Sequence, residues 1–360
     1  MIENKSLIPP YMKILMLLRK RISDGEYINE FPSTNELVQE LGVSQMTVNK
    51  AVGELVREGL VYRKIGSGSF INTRKREKQK TSRIIYFVPD KAYGLRHPFH
   101  AGVFLGITAA TLDAGCEAIF QDSETNLVDI IFKKTNDLKF DGIIFSRWDN
   151  RKLIDEISRI MPMLEIGISD VSDRIPSVHF DDENGAYEAV KYLIGLGHRR
   201  IGFISGFMTW KEGEHRFNGY KKALREFGIP FDGKLVLEDE WNDPAGARCA
   251  SKMLQLAERP TAIFFTSDHM AFGAMPCIRE KGLSIPGDIS IIGFNNVEAS
   301  AYVEPALTTV EIPFQDTGSR AFKCMKVLIG GGRPSEEDLT LKTKFIIRNS
   351  CCSPKTWRET

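Results

Sequence analysis

From residue 83 onward, short β-branched runs alternate with amphipathic segments, and this alternation limits the fold more than any other feature of the chain. Apolar runs with the length and composition of buried parallel strands occur at residues 84–88, 142–145, 201–204, 262–265 and 289–293. Helical segments separate these runs, for example at 185–196 and 216–227. Repeated strand–helix–strand units predict doubly wound α/β sheets covered by helices, and about 270 residues suffice for two lobes.

The amino-terminal part has the pattern of a separate, mainly helical module. Apolar residues at helical spacing predict a first helix over residues 11–22. Ser33 and Glu36 have the spacing of a capping box, which predicts the start of a second helix, and Gly42 predicts its end. Ser44 is placed to cap a third helix. Two short helices that meet at a glycine turn predict a helix-turn-helix.

The third helix carries side chains that suit recognition of DNA. Its Val48, Val52 and Leu55 share one face and are expected to pack inward, so polar side chains near its amino end point outward. Gln45 and Asn49 carry amides that can donate and accept together, as a bidentate contact to adenine requires. The predicted DNA contacts from the helix-turn-helix are Ser33, Thr34, Ser44, Gln45, Met46, Thr47, Asn49 and Lys50. The alternative is that these positions are only solvated.

Two short runs at 59–64 and 69–71 flank a glycine-rich tip and predict a β-hairpin, or wing, which makes the whole module α+β. Glycine at the tip permits positive φ and a close approach of the backbone to a sugar–phosphate chain. The wing adds Arg63, Lys64, Gly66, Ser67 and Gly68 to the predicted DNA contacts. A nucleotide-binding glycine loop is disfavoured, because such loops open onto a helix and this one opens onto a strand.

The charge of the chain is divided in the same way. Residues 1–80 contain 14 Lys and Arg against 9 Asp and Glu, a balance of +5, and the remaining 34 basic and 38 acidic residues give −4. A basic amino-terminal part fits a polyanionic partner, although chance variation would explain the balance too. The polar, basic residues 74–82 predict an exposed linker, with an additional phosphate-contacting arm as the alternative.

Residues 9–73 resemble the GntR family of winged-helix regulators. They share its Pro-Ser at 32–33, VSxxTV at 43–48, EGL at 58–60 and GxGxF at 66–70, in that order. The resemblance implies a DNA-binding domain. Many members carry arginine where this chain has Gln45 and Asn49, so it does not imply the operator sequence.

Ligands of doubly wound sheets bind beyond the carboxyl ends of the strands, and the residues there combine aromatic with polar side chains. The strand-end candidates are Arg147, Trp148, Phe207, Trp210, Ser267, Asp268, Asn295 and Asn296. Such a mixture suits a polyhydroxylated ligand. The alternatives are plain packing for each tryptophan and helix capping for Asp268 and Asn296. Arg216 is expected at the start of a helix, where it could clamp two oxygens or pair with a surface carboxylate.

Residues 83–350 resemble the sugar-sensing domain of the LacI/GalR family, which is similar to periplasmic sugar-binding proteins. The shared motifs are LGHRRI at 196–201, RFNGY at 216–220, PTAIF at 260–264, DHMAFGA at 268–274, IPGDISIIGF at 285–294 and PALTTV at 305–310. The resemblance implies effector contacts at Asn184, Arg216, Ser267 and Asn295, and more weakly at Phe99, Arg147 and Trp148. With the strand-end residues Trp210 and Asp268, these form the predicted effector site. The family usually has aspartate at Asn295, which implies a different hydroxyl pattern in the effector.

Other classes of function receive little support. The chain contains no signal peptide or membrane span, which predicts a cytoplasmic protein, and its six scattered cysteines predict reduced thiols. No catalytic residue, metal site or cofactor is predicted, because no catalytic or metal-binding motif occurs. His198 lies in a turn before a strand without a nearby acidic partner, and we expect a structural role for it.

The two halves together resemble the small group of regulators that join a GntR-type domain to a LacI-type sensor. The predicted segments are a winged helix-turn-helix at 1–73, a linker at 74–82, a two-lobed effector domain at 83–350 and a tail at 351–360. We expect a transcription regulator, in the role of a repressor of carbohydrate-catabolism genes, that binds operator DNA as a homodimer under the control of a small sugar. The alternative is a sugar-binding or sugar-modifying protein with an appended DNA-binding domain.

Overall fold

The computed structural model describes residues 8–64, 67–72, 83–89, 94–124, 127, 131, 140–167 and 174–355. Gly66 and the predicted linker at 74–82 lie outside these residues. The contacts within the chain divide it into two units. Unit 1 comprises Met1–Ile166, Asp170–Ser177 and Gly318–Pro334, and unit 2 comprises Gly167–Ser169, Val178–Thr317 and Ser335–Thr360.

The amino-terminal part of unit 1 is a three-helix domain with a β-hairpin, which we call the reader. Its elements are helices α1 (Pro10–Asp24), α2 (Thr34–Leu41) and α3 (Gln45–Arg57) and strands β1 (Glu30–Phe31), β2 (Val61–Lys64) and β3 (Gly68–Ile71). The strands form an antiparallel sheet in the order β1-β3-β2. Val48, Val52 and Leu55 are buried in its core together with Leu18 and Leu37. The predicted helix-turn-helix, wing and inward face of α3 are therefore confirmed.

Local hydrogen bonds explain where the reader's helices begin and end. Ser33 Oγ accepts from the Glu36 amide at 3.3 Å, and Glu36 Oε2 accepts from the Ser33 amide at 2.7 Å, which completes the predicted capping box. Gly42 ends α2 with a φ of 64°. Ser44 Oγ accepts from the Thr47 amide at 3.3 Å and caps α3. The glycine turn and both serine caps thus occur where the sequence predicts them.

The rest of unit 1 is an α/β lobe, which we call the first lobe. Strands β4 (Arg83–Phe87), β5 (Glu117–Gln121), β6 (Gly142–Phe145) and β7 (Met163–Ile166) are parallel, in the order β5-β4-β6-β7. Helices α4 (Pro98–Asp113) and α5 (Arg151–Ser158) accompany them, with the part of α10 (Phe314–Ile329) that follows Gly318. Strand β8 (Ser177–Phe180) comes next in the chain. The sequence predicts β4 and β6 but not β5, β7 or β8.

Unit 2 is a second α/β lobe. Strands β9 (Ile201–Ser205), β10 (Val236–Glu238), β11 (Ala262–Phe265) and β12 (Ser290–Ile292) form a parallel sheet in the order β10-β9-β11-β12. Its main helices are α6 (Asp182–Gly195), α7 (Lys211–Glu226), α8 (Asp243–Met253) and α9 (Asp268–Glu280). Strand β13 (Thr309–Glu311) pairs with β15 (Lys344–Ile346), and β14 (Thr340–Leu341), which follows the short helix α11 (Glu336–Leu339), pairs with β8. Two parallel α/β units confirm the predicted fold class.

Helix α7 begins earlier than the sequence predicts. It starts at Lys211, with Trp210 at the N-cap, so Arg216 lies in its second turn and not at its first residue. From the second turn of α7, the side chain of Arg216 can point back toward the sheet. Arg216 is indeed buried.

His198 joins three parts of the second lobe through its ring nitrogens. Nδ1 lies 2.8 Å from Thr261 Oγ1 and Nε2 lies 2.9 Å from the carbonyl oxygen of Cys352, to which it can donate. Nε2 is also 3.1 Å from Ser290 Oγ, which itself donates a hydrogen bond to the Cys352 carbonyl oxygen. Burial lowers the pKa of His198. A buried ring that links a turn, a strand and the tail fits the expected structural role.

The structure contains the six cysteines as free thiols. In the described part of the chain, no helix is both long and apolar enough to cross a bilayer. No group of three or more acidic, histidine or cysteine side chains there is arranged to hold a metal ion.

Candidate functional site

The amino end of α3 presents an exposed polar surface. Gln45 and Asn49 are exposed, and Met46 is 80% exposed. Asn49 Oδ1 accepts from Thr34 Oγ1 at 3.1 Å. Thr34 is the first residue of α2, so α2 orients the side-chain amide of Asn49. Lys50 Nζ lies 3.8 Å from the centre of the Tyr11 ring. The structure therefore brings these predicted contacts together on one side of the reader.

Serine and threonine side chains at the helix ends have local partners. Ser33 and Ser44 are caps, and Ser44 Oγ also lies 2.8 Å from Thr47 Oγ1. In the wing, Arg63, Lys64 and Ser67 are exposed, and Gly68 has a φ of 105° with no atom near the position of an added Cβ. The wing tip can thus approach a phosphate chain closely, as predicted for Gly68.

The reader also contacts the first lobe within unit 1. Ile8 is fully buried in the hydrophobic core of that lobe, and its amide donates to Glu156 Oε2 at 3.0 Å. Lys13 Nζ lies 3.9 Å from the same oxygen. Met12 and Met16 of α1 pack against this core. A continuous set of contacts thus joins the reader's first helix to α5 of the lobe.

Predicted effector residues of the first lobe lie around a buried histidine. Tyr86 Oη is 2.9 Å from His100 Nδ1, and the ring of Phe99 meets the His100 ring edge-on at 5.1 Å. Burial, then the charges of His97 and Arg147, lower the pKa of His100 well below its usual range. Arg147 is exposed beside this group. The structure therefore brings Phe99 and Arg147 into one polar region.

Trp148 belongs to the core of the first lobe and not to this polar region. Its side chain is 3% exposed and packs edge-on against Phe87 and Phe145. Its Nε1 donates to Glu124 Oε2 at 2.8 Å. Arg147 is exposed and the next residue, Trp148, is buried, so the two neighbouring side chains face solvent and core respectively. The contacts favour the packing alternative, and we leave Trp148 out of the proposed ligand contacts.

The second lobe holds a buried ion pair at the carboxyl ends of its strands. Arg216 Nε donates to Asp182 Oδ1 at 2.8 Å, and Arg216 Nη1 donates to the carbonyl oxygen of Thr266 at 2.6 Å. The guanidinium carbon lies 3.9 Å from the centre of the Phe294 ring. Arg216 thus pairs with a buried carboxylate and not with the surface carboxylate considered from the sequence. Asp182 is not among the residues predicted from the sequence.

An aromatic group continues this cluster. The rings of Trp210 and Trp241 stack with centres 6.1 Å apart, and Phe207 meets Trp210 edge-on at 5.3 Å. Trp241 also lies 5.2 Å from the Arg216 guanidinium carbon. Trp210 was predicted and Trp241 was not. Planar faces beside a guanidinium and a carboxylate suit the mixed surface of a sugar.

Both carboxylate oxygens of Asp268 accept hydrogen bonds within the second lobe. Its Oδ2 accepts from the Val297 amide and from Ser300 Oγ, each at 2.8 Å, and its Oδ1 accepts from Thr309 Oγ1 at 2.5 Å. Burial raises the pKa of Asp268 to about 6, although these hydrogen bonds oppose the shift. The N-cap of α9 is Ser267 and not Asp268, so the capping alternative is corrected by one residue. Asp268 ties loops together, and we leave it out of the proposed contacts.

The remaining predicted positions differ in exposure. Asn184 is exposed in the first turn of α6, where its backbone N–H donates to Asp181 Oδ1 at 3.1 Å. Ser267 is 3% exposed, and its side chain makes no capping bond. Asn295 is half-buried, and its backbone N–H donates to the Val310 carbonyl oxygen at 2.7 Å. Asn296 accepts from Arg348 Nη2 at 2.7 Å, and Val297 occupies the N-cap of the next short helix.

Backbone strain marks three strand-end positions. Among the residues that the structure describes, the non-glycine residues with positive φ are Arg147 at 54°, Asn295 at 111° and Asn296 at 52°. This region of conformational space costs a residue with a Cβ about 1–2 kcal/mol. Such strain concentrates at binding sites, where the side chain is needed in spite of its cost. The backbone thus supports Arg147 and Asn295 as ligand contacts by an observation independent of side-chain chemistry.

Replacing Arg147 by glycine tests this strain directly. We expect Arg147→Gly to raise the free energy of unfolding by about 1 kcal/mol, because glycine adopts positive φ without a steric penalty. The matched control is Arg151→Gly at the start of α5, which should lower the free energy of unfolding by up to about 1 kcal/mol. Urea denaturation of both variants measures the difference. Equal destabilisation by the two substitutions would contradict the inferred backbone strain at Arg147.

Family comparisons agree with both halves of the chain. The family described as "Bacterial regulatory proteins, gntR family" matches residues 10–71, and "Periplasmic binding protein-like domain" matches residues 190–351. The HTH-type transcriptional repressor CytR of Escherichia coli (strain K12) is 29% identical over 316 residues, 86% of this chain and 88% of that protein.

A second relative and a solved structure extend the likeness. The probable HTH-type transcriptional repressor ExuR of Bacillus subtilis (strain 168) is 30% identical over 288 residues, 78% of this chain and 84% of that protein. The crystal structure of the transcription regulator CcpA of Lactococcus lactis superposes with a TM-score of 0.67 at 25% identity, covering 76% of this chain and 100% of that one. The two resemblances stated from the sequence are thereby confirmed. The chain belongs to the LacI-type family of transcription regulators and carries a GntR-type winged helix-turn-helix at its amino-terminal end.

Proposed function

We propose that this regulator acts as a repressor whose binding to operator DNA is controlled by a small hydroxylated effector, in the cytoplasm, where the DNA lies. The observation that carries the effector part is the cluster of Arg216, Asp182 and Trp241 at the carboxyl ends of the second lobe's strands. A buried ion pair is costly to desolvate, and ligand pockets combine aromatic walls with a small number of polar or charged groups. In the second lobe, the effector contacts that we propose are Asp182, Asn184, Trp210, Arg216, Trp241, Ser267 and Asn295. In the first lobe, taken by itself, we propose Phe99 and Arg147.

The DNA contacts that we propose combine α3 with the wing. Gln45, Met46 and Asn49 would meet base edges in the major groove, because the amino end of a recognition helix enters it. The side chains of Thr47, Lys50, Arg63 and Lys64 would contact phosphates. The net charge of +5 on residues 1–80 supports this assignment.

An exposed apolar stripe on α4 supports a homodimer. Leu105 is 58% exposed and Leu112 is 71% exposed, and residues seven apart share one face of a helix. We infer that a second copy of the chain covers this stripe, because a helix-turn-helix reads two half-sites of a palindromic operator as a dimer. Each copy would place one reader on one half-site.

Charged substitutions on α4 test the dimer. Leu105→Asp together with Leu112→Asp should give a monomer by light scattering. Operator affinity should fall by at least about 100-fold, because the second half-site no longer binds as part of one molecule. The control Phe227→Asp alters a side chain that is 44% exposed in unit 2 and should leave both properties unchanged. A double variant that remains dimeric would place the interface elsewhere.

Contacts between the reader and the first lobe offer a route for control. Ile8 and Met12 pack into the lobe's core, and Glu156 of α5 accepts from the Ile8 amide. A shift of α5 when effector binds would therefore move α1, and with it the reader. The coupling is reciprocal, so operator DNA must change effector affinity by the same factor.

Footprinting on promoter fragments, with and without a panel of pentoses, hexoses and nucleosides, tests the proposal. We expect protection of two half-sites about one helical turn apart and a change of about 5-fold to 150-fold in operator affinity with at least one compound. Absence of any preference for a promoter fragment over random duplex would remove the DNA assignment. Absence of any effect from the whole panel would remove the effector assignment.

A further inference from the structure

The ion pair in the second lobe leaves little positive charge for a ligand. Arg216 and Asp182 are 4% and 0% exposed, and at 2.8 Å between Nε and Oδ1 the charge of each group offsets the charge of the other. A second nitrogen of Arg216 already donates to the Thr266 carbonyl. A carboxylate or phosphate on a ligand would therefore have to share Arg216 with a carboxylate that is already in contact with it.

A second carboxylate makes the region still less suited to an anion. Glu212 lies one turn before Arg216 on α7. Burial raises the pKa of Asp182, Arg216 opposes this shift, and Glu212 adds to it, while His215 opposes it more weakly. The charged groups acting on Asp182 thus include another acidic side chain as well as its arginine partner. An uncharged ligand adds no further charge to this set.

Two buried polar atoms of the cluster lack partners. Within the residues that the structure describes, Asp182 Oδ2 and Trp241 Nε1 are buried and make no hydrogen bond. Both side chains lie against Arg216. The free oxygen requires a donor and the free N–H requires an acceptor. A hydroxyl group supplies both, whereas an ionised carboxylate or phosphate oxygen can only accept and would repel Asp182.

The inference rests on the proposed function, in which this cluster binds the effector. We infer that the effector is an uncharged molecule that donates a hydroxyl hydrogen bond to Asp182 Oδ2, and that the site discriminates against sugar acids and sugar phosphates. The hydroxyls of a free monosaccharide and those of a nucleoside's ribose share this chemistry. Calorimetry with ribose and with uridine separates these two sources.

Titration calorimetry of the full-length protein with matched neutral and charged compounds tests the inference. The pairs are glucose and glucuronate, galactose and galacturonate, ribose and ribose 5-phosphate, and uridine and uridine monophosphate. We expect at least one neutral compound to bind and its charged counterpart to bind at least ten-fold more weakly. The ribose and uridine pairs show whether the hydroxyls belong to a free sugar or to a nucleoside.

Asp182→Asn identifies the group responsible. The amide keeps one oxygen for Arg216 and replaces the unpartnered oxygen by an N–H donor. Affinity for the neutral compound should fall at least ten-fold, and the ratio of neutral to charged affinity should fall with it. Glu183→Gln is the matched control, because Glu183 is the next residue of α6 and lies 3.8 Å from Lys222 at the surface. This control should leave the ratio unchanged.

The possible results distinguish failure of the inference about the effector from failure of the proposed function. If the charged member of a pair binds the wild-type protein as tightly as the neutral one, the inference is overturned, but the proposed function remains. If no compound binds although operator binding is intact, the proposed effector function fails and the inference fails with it. Should Asp182→Asn not fold, the wild-type comparison of neutral with charged compounds still decides.

Discussion

Alanine at both Gln45 and Asn49 is expected to remove most of the preference of this regulator for its operator over random DNA. The two amides are exposed on the same side of α3, and Thr34 holds the Asn49 amide in place. A good bidentate contact to a base contributes about 1–3 kcal/mol of discrimination, so two contacts correspond to a loss of roughly 30-fold to more than 10,000-fold. Gel-shift titration against operator and random duplex measures this ratio.

Lys64→Ala provides the matched control, because it alters the wing and not the recognition helix. Loss of one phosphate contact should weaken binding to every sequence alike and reduce the slope of log affinity against log salt by about 0.9. The operator preference should persist. If the Gln45 and Asn49 variant kept its preference and lost only salt dependence, these amides would contact phosphates and not bases.

Alanine at Gly246 or Gly273 is expected to destabilise the second lobe strongly. A Cβ at Gly246 of α8 would overlap the Met270 carbonyl of α9, and a Cβ at Gly273 of α9 would overlap the Asp243 carbonyl of α8. The two backbones therefore touch, and the helices would have to separate. Overpacking of this kind costs about 3 kcal/mol, which lowers the melting temperature of a domain of this size by about 6–12 °C.

Gly195→Ala is the corresponding control in the same lobe. Gly195 ends α6, and an added Cβ there meets no atom. This substitution should raise the free energy of unfolding by about 0.4–1 kcal/mol, because alanine restricts the unfolded chain. Scanning calorimetry of the three variants compares the effects. Similar melting temperatures for Gly195→Ala and Gly246→Ala would show that the helices can adjust to the added methyl group.

Whether the sequence predicts a strand depends on the length of its apolar run and on whether a charged residue interrupts that run. Runs such as 262–265 are uninterrupted and apolar, and the corresponding strand has the predicted bounds. Three of the strands that the sequence does not predict have physical reasons for being missed. Strand β5 lies at the sheet edge and is half exposed, β7 contains the charged Glu165, and β10 has only three residues. Short or interrupted runs resemble loops when the neighbouring strand that buries them is unknown.

The same omissions explain what the sequence misses in the site. Trp241 follows β10 and Asp182 follows β8, so neither appears among the strand-end residues when those strands are not recognised. Arg216 is found by its motif, but its buried partner is 34 residues away in the chain. Trp148 follows a strand that the sequence does predict, but position after a strand does not fix which side the ring faces. The caps of α2 and α3 are predicted fully because they depend only on residues close in sequence.

The burial of Ile8 bears on how the protein can be divided for biochemical work. A fragment that starts at residue 83 would lack the side chain that fills part of the first lobe's interior beside Ile85 and Phe87. Such a fragment would leave a cavity, and Glu156 would lose a hydrogen-bond donor. Affinities measured on an isolated sensor fragment would therefore describe an altered lobe, and the full-length chain is the appropriate material.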